Sequence, residues 1–317
     1  MILALILMIG NPLAHAQEYP SKTITMIVPA APGGSLDVLG RFLAQEMGNF
    51  LKQRIIVENV AGAGSTIGTA RVAKSPGDGY TILFQNVGIA IAPTLYRKLT
   101  FDPIKDLEPI GRVADMPMSI VARKDFPAKD FKEMLAYVKA NRDKINFAHA
   151  GTGSSTHLCS MLFMSEIKTD MTMVPYKGGG PALKDLMGGQ VDLFCDSTLS
   201  TLGPIKSGTV KVYAVTSPTR VSSLPDVPTV KETGLADFEM TVWMGLWAPK
   251  GTPKPIIDKL SAALQEALKG PLMKQRLNEF GTEPAPQLAT PEALRVLLQK
   301  EIKKWEPLIK KAGVYAD

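Results

Sequence analysis

Short, almost uninterrupted apolar runs alternate with helical periodicity along this chain, and that alternation restricts it to an α/β architecture. Ile24 to Val28, Ile55 to Val57 and Tyr80 to Phe84 read as strands. From Leu36 onward, Leu39, Leu43, Met47, Phe50 and Leu51 fall at helical spacing, and a second helix begins near Ser65 and continues from Gly68 to Lys74. Strands apolar on both faces need cover on both faces, which helices between parallel strands provide.

The pattern then restarts. Strands are predicted at Ser119 to Arg123, Ile145 to Ala148, Met171 to Pro175, Val191 to Cys195 and Val212 to Val215. Helices fall around Phe131 to Lys139, Leu158 to Met164 and Ala182 to Met187. Two more close the chain: Pro255 to Lys269, with Thr252 as N-cap and Pro253 at N1, and Pro291 to Trp305, capped by Thr290. Two long β-like stretches, Ile110 to Arg123 and Phe238 to Ala248, are suited to cross between two lobes and make a hinge. We therefore expect lobe one from residues 17–117 and 243–317, with lobe two, 118–242, inserted in it.

The N-terminus reads as an export signal. Ile2 to Leu13 is apolar over about a dozen residues, too short for a membrane-spanning helix, and Ala14-His15-Ala16 has the small-x-small pattern of a cleavage site. Cleavage is expected after Ala16, giving an exported protein. No Lys or Arg precedes the apolar core, so a basic n-region would lie upstream of Met1. Export also bears on the two cysteines, Cys159 and Cys195. An oxidising compartment permits a disulfide between them; two buried free thiols are the alternative.

Chemistry concentrates in turns that follow a strand and open a helix. These are Pro29-Ala30-Ala31-Pro32-Gly33-Gly34-Ser35-Leu36-Asp37, Ala61 to Gly68, and Ala150-Gly151-Thr152-Gly153-Ser154-Ser155-Thr156-His157. Each places free backbone N–H groups at the positive end of a helix dipole, where small side chains let an anion approach closely. The first and third fall in opposite lobes, which favours a shared cleft. Gln85 and Asn86 follow the third strand, Lys177 lies in a fourth strand-to-helix turn, and Asp196 follows a strand end; each is a candidate ligand contact. Asp37 sits where a carboxylate complements the first helix dipole.

Other chemistries find little support. Gly62, Gly64 and Gly68 miss the dinucleotide spacing by one residue, and there is no Walker A sequence. Beyond the signal, only His149 and His157 remain as histidines, with no nucleophile elbow and no metal-spaced His/Cys cluster. The net charge of +6 is spread out, and its densest run, Lys303-Lys304 with Lys310-Lys311, reads as a solvated helix face rather than a nucleic-acid patch. We expect no enzyme activity, no cofactor, no metal and no nucleic-acid partner, and a monomer.

Val28-Pro29, Gly33-Gly34 with Asp37 and Arg41, Glu58-Asn59, and Asp78-Gly79-Tyr80-Thr81 closely resemble the Bug-type solute-binding family. So do Gly153-Ser154 to His157-Leu158, Val174 to Gly178, Gly189-Gln190-Val191-Asp192, Pro225 to Thr229, and Trp247-Ala248-Pro249 with Gly251-Thr252-Pro253. The resemblance implies a type II periplasmic binding fold with a Venus-flytrap cleft, in the extracytoplasmic receptor of a tripartite tricarboxylate transporter. It further implies a small carboxylate held by backbone amides and waters at Ala31 to Ser35, with the rest of the ligand near Gly153 to His157 and Asp196. Integral-membrane transporter subunits would be the partners. A dicarboxylate and an aromatic carboxylate are both compatible, since no Arg in the three turns offers a bidentate clamp. A carboxylate sensor for a two-component system, or an exported hydrolase or transferase on the same fold, are the alternatives.

Overall fold

The structure, a computed structural model, describes residues 19–316 except 34, 237, 280 and 283. The expected signal, 1–16, and Gly34 of the first turn lie outside the described residues. Strand β1 (Ile24–Val28) pairs in parallel with β2 (Ile55–Asn59) and β3 (Thr81–Asn86). Helix α1 (Ser35–Leu51) joins β1 to β2, and α2 (Thr66–Ala73) joins β2 to β3. The face of α1 formed by Leu36, Leu39, Leu43, Met47 and Leu51 is buried, as its periodicity requires. After β3 comes α3 (Gly88–Leu95), an element with no clear periodic signal.

The joint between the lobes is one long strand, β4 (Leu107–Arg123). Its first part is antiparallel to β9 (Thr241–Pro249), with Leu107 opposite Pro249 and Pro117 opposite Thr241. From Met118 it runs instead between β7 (Leu193–Ser197) and β8 (Val210–Val215). Register shifts at Pro109/Gly111 and Arg112/Ala114 mark bulges, which bend and twist a strand.

In the second lobe, α4 (Phe131–Asn141), β5 (Asn146–His149), α5 (Ser155–Ile167), β6 (Thr172–Pro175) and α6 (Gly179–Met187) precede β7. Helix α7 (Thr198–Lys206) follows it. Strand β5 is parallel to both β6 and β7. The strand order β2-β1-β3-β9-β4-β7-β5-β6, with β8 also on β4, makes one sheet of nine described strands through both lobes. Helices α8 (Lys254–Lys269), α9 (Pro271–Glu279) and α10 (Pro291–Ala312) return to lobe one, where α8 packs on α1 and α10 on α3 and β4.

Two expectations are corrected. Strand β7 extends to Ser197, so Asp196 lies inside it, paired with Ser119 of β4, and not beyond its end. Thr252 does not cap α8; its hydroxyl donates to Pro249 O at 2.7 Å, and Pro253 occupies the cap. Thr290 does cap α10, accepting from the Ala293 N–H at 3.2 Å.

Long-range polar ties fix the hinge. Thr216 is fully buried where the two crossings meet. Its hydroxyl accepts from Met118 N–H at 3.0 Å and donates to Met240 O at 2.5 Å. Its amide donates to Met118 O and its carbonyl accepts from Met240 N–H, at 2.9 and 3.0 Å. Buried Glu301 of α10 accepts the indole N–H of Trp243 in β9 at 3.2 Å and of Trp305 at 2.9 Å. Cys159 of α5 and Cys195 of β7 form a disulfide with both residues fully buried, so the free-thiol alternative falls.

Candidate functional site

Parallel strands end at a common edge, and each lobe presents its candidate residues there. In lobe one the first turn projects to solvent: Ala31, Pro32 and Gly33 are exposed and Ser35 is half-buried. Gly33 sits at φ +83°, a left-handed conformation that glycine adopts without steric cost. The base of the turn is rigid. Gly33 N–H donates to Asp37 Oδ2 at 2.8 Å, and Asn59 Nδ2 donates to Asp37 Oδ1 at 2.9 Å and to Ala30 O at 3.1 Å. Arg41 pairs with Asp37 at 2.9 Å and with Asn59 Oδ1 at 2.9 Å. Burial pushes the Asp37 carboxyl up, but the bonds from Arg41, Gly33 and Asn59 outweigh it and hold it below the usual carboxylate range. Asp37 is thus the anchor of the first turn, beyond any complement it offers the helix dipole.

The second turn is a run of left-handed residues, Gly62, Ala63, Gly64 and Ser65, at φ +131°, +43°, +56° and +78°. The turn closes on itself, Ser65 N–H donating to Gly62 O at 2.9 Å. A Cβ on Gly64 would overlap the Tyr96 hydroxyl, so only glycine lets that hydroxyl approach. Gln85 spends its side-chain amide inside lobe one, and Asn86 its side-chain carbonyl. Gln85 is buried; its Nε2 donates to Thr69 Oγ1 at 3.3 Å and its Oε1 accepts from Asn86 N–H at 2.8 Å. Asn86 Oδ1 accepts from Gly88 N–H at 3.0 Å, at the start of α3.

In lobe two the third turn is closed on itself. Ala150 N–H donates to Thr156 Oγ1 at 2.7 Å, Gly151 N–H to His149 Nδ1 at 3.3 Å, and Gly153 N–H to His157 Nδ1 at 3.1 Å. Ser154 caps α5, accepting from His157 N–H at 3.2 Å while its hydroxyl donates to Gly151 O at 2.7 Å. With its proton so placed, Ser154 Oγ accepts from the Thr156 hydroxyl 2.8 Å away. The rings of His149 and His157 lie 4.5 Å apart. Burial, with a smaller contribution from His149, lowers His157 to about 4, so the ring is neutral; with Nδ1 accepting, its proton is on Nε2. His157 is therefore a buried organiser of the turn, and Nε2–H is the donor it can offer. His149 was noted in the sequence only as a remaining histidine; its pairing across eight residues is a tertiary feature.

Lys177 is exposed in the turn between β6 and α6. Asp196 is only 9% exposed, and Ser197 N–H donates to its Oδ1 at 2.8 Å. Burial raises its carboxyl to about 6. A Cβ at Gly179, the first residue of α6, would lie 2.9 Å from Asp196 Oδ2. The fold thus gathers Gly153 to His157, Lys177 and Asp196 at the edge where β5, β6 and β7 end. It gathers Ala31 to Gly33 and Ser35 with the second turn at the edge of β1 and β2. The lobes meet through α3: a Cβ at Gly153 would overlap Leu95 Cδ2 and lie 3.9 Å from Ile91 Cδ1.

Residues 39–314 match the family described as "Tripartite tricarboxylate transporter family receptor". The chain is similar to the periplasmic binding protein BugD, with 46% identity and a TM-score of 0.82, over 94% of this chain and 100% of that one. MatC from Rhodopseudomonas palustris, solved with bound malate, is 40% identical at a TM-score of 0.81, over 92% and 100% of the two chains. A second R. palustris protein, solved with adipate, is 30% identical at a TM-score of 0.82, over 94% and 99%. The two α/β lobes joined by β4 and β9 are the type II periplasmic binding fold of these proteins, and the chain belongs to the tripartite tricarboxylate transporter receptor family of solute-binding proteins.

Proposed function

We propose that the protein is a periplasmic receptor that captures a small carboxylate, a dicarboxylate or an aromatic carboxylate, between its lobes. It delivers that ligand to a tripartite tricarboxylate-type secondary transporter and transforms nothing. The observation that carries this reading is the first turn, an exposed backbone loop whose base is locked by the Gly33–Asp37–Asn59–Arg41 network. A loop fixed before binding loses little entropy on binding, and charge-assisted bonds to a carboxylate are worth about 1.5–3 kcal/mol each. A few such bonds suffice for micromolar affinity. The bound malate and adipate of the two relatives support the same ligand chemistry.

On this reading Ala31, Pro32, Gly33, Gly34 and Ser35 hold the carboxylate. Gly153, Ser154, Ser155, Thr156, His157, Lys177 and Asp196 meet the rest of the ligand, and Gln85 and Asn86 support from behind. Lobe one comprises 17–117 and 243–317, and lobe two 118–242. Calorimetry of the chain from Gln17 onward against succinate, L-malate, adipate and benzoate tests it, with each ligand quantified before and after incubation. Saturable binding without consumption is the expected result. Conversion of any ligand, or no binding by all four, would sink the proposal.

A further inference from the structure

We infer that lobe two reads a hydrogen-bond donor on the ligand instead of a second carboxylate, and that Asp196 selects ligands bearing a hydroxyl or ammonium beside the carboxylate. The inference rests on the receptor reading above and narrows it.

The two lobes offer opposite chemistry. The first turn exposes its backbone and commits Gly33 N–H to Asp37. The third turn resembles it in sequence, yet the amides of Ala150, Gly151, Gly153, Ser154 and His157 are spent within it, on Thr156, His149, His157, Gly151 and Ser154. The Ser154 and Thr156 protons are spent within the turn as well.

What lobe two does present at the same strand edge is an acceptor. Asp196 is more than nine-tenths buried, with Oδ1 engaged by Ser197 N–H. Two acceptor oxygens hold about four lone pairs, so capacity remains after that bond. On the Oδ2 side the neighbour is Gly179, which adds no side chain. The disulfide at Cys195 holds this part of β7 against α5. Neither the third turn nor the 176–181 segment contains an arginine, and the one lysine there, Lys177, is exposed. A ligand carboxylate beside Asp196 would meet a like charge in a poorly solvated setting, whereas a hydroxyl or ammonium would gain an acceptor. Burial raises the Asp196 carboxyl to about 6, which leaves it mostly ionised at neutral pH.

Succinate, L-malate and L-aspartate share one four-carbon skeleton and differ at C2 by hydrogen, hydroxyl and ammonium. Calorimetry at pH 7.5 should give at least about tenfold tighter binding for malate or aspartate than for succinate. Asp196→Asn should reduce that preference to less than about threefold. Succinate binding as tightly as both others would overturn the inference and leave the receptor reading standing. No binding by these three, adipate or benzoate would overturn both. A preference that survives Asp196→Asn would remove Asp196 from the role. The wild-type comparison needs no variant, so it decides the matter even if Asp196→Asn folds poorly.

Discussion

Cys159 and Cys195 are bridged with Cα atoms 6.1 Å apart, which ties the helix opening at the third turn to the strand that carries Asp196. The bond closes a loop of sequence separation 36. By the loop-entropy relation a closure of that size stabilises by about 3–4 kcal/mol. Cys159→Ala with Cys195→Ala should lower the Tm by several degrees, read by differential scanning calorimetry. An unchanged Tm would show that the bridge constrains nothing.

His157 gives an acid-limb signature. Its folded value of about 4 lies below the 6.5 of an ordinary histidine, because burial and then His149 disfavour the charged ring. The associated stability is complete above about 6.5 and is lost as pH falls through 4. The loss amounts to about 3 kcal/mol. Asn at this position keeps an acceptor for Gly153 N–H but does not titrate. Urea unfolding at pH 7 and pH 4 should therefore show a smaller stability drop for His157→Asn than for wild type; equal drops would refute the assignment.

Asp37→Ala strands the Gly33 amide and removes one partner each from Asn59 and Arg41. Loss of about 1–3 kcal/mol of stability is expected, together with affinity weakened by about tenfold or more for the best ligand. The variant should also lose part of the acid sensitivity of the wild type. The folded Asp37 carboxyl lies below its ordinary 3.8, so its contribution is present above that value and lost as pH drops through the folded one. Affinity unchanged by calorimetry would mean that the turn does not need its anchor.

Gly153→Ala places a methyl group into Leu95 of the other lobe, at a residue with φ +77°. The left-handed backbone alone costs an L side chain about 1–2 kcal/mol. Gly153→Ala should weaken carboxylate binding read by calorimetry, and Leu95→Ala in the same chain should relieve the overlap and recover part of that affinity, while the backbone cost persists in the Tm. No recovery would place the harm in the backbone conformation alone.

Much of this architecture was legible locally. The apolar runs at Ile24 to Val28 and Tyr80 to Phe84, the spacing of Leu39, Leu43 and Met47, and the cap at Thr290 all depend on residues within a turn or two of one another. Helix α3 escaped because its apolar positions follow no single face, being buried nearly all round. Thr252 escaped for a related reason: a hydroxyl near a helix start caps it only if the chain turns the right way, and here it donates back to Pro249.

The sequence by itself determined the α/β class, the two extended crossings and the positions of the turns, because hydrophobic period and turn chemistry are short-range. Only the tertiary structure decided how each turn is braced. Gly33 is braced by Asn59 and Arg41 through Asp37, residues brought together by the pairing of β1 with β2. The third turn, so similar in composition, is sealed by two stacked histidines and a serine–threonine pair. The same packing turned Gln85 inward, buried Asp196 inside β7 and joined Cys159 to Cys195. Each outcome depends on groups distant in sequence, whose desolvation and hydrogen bonds exist only once the strands have paired.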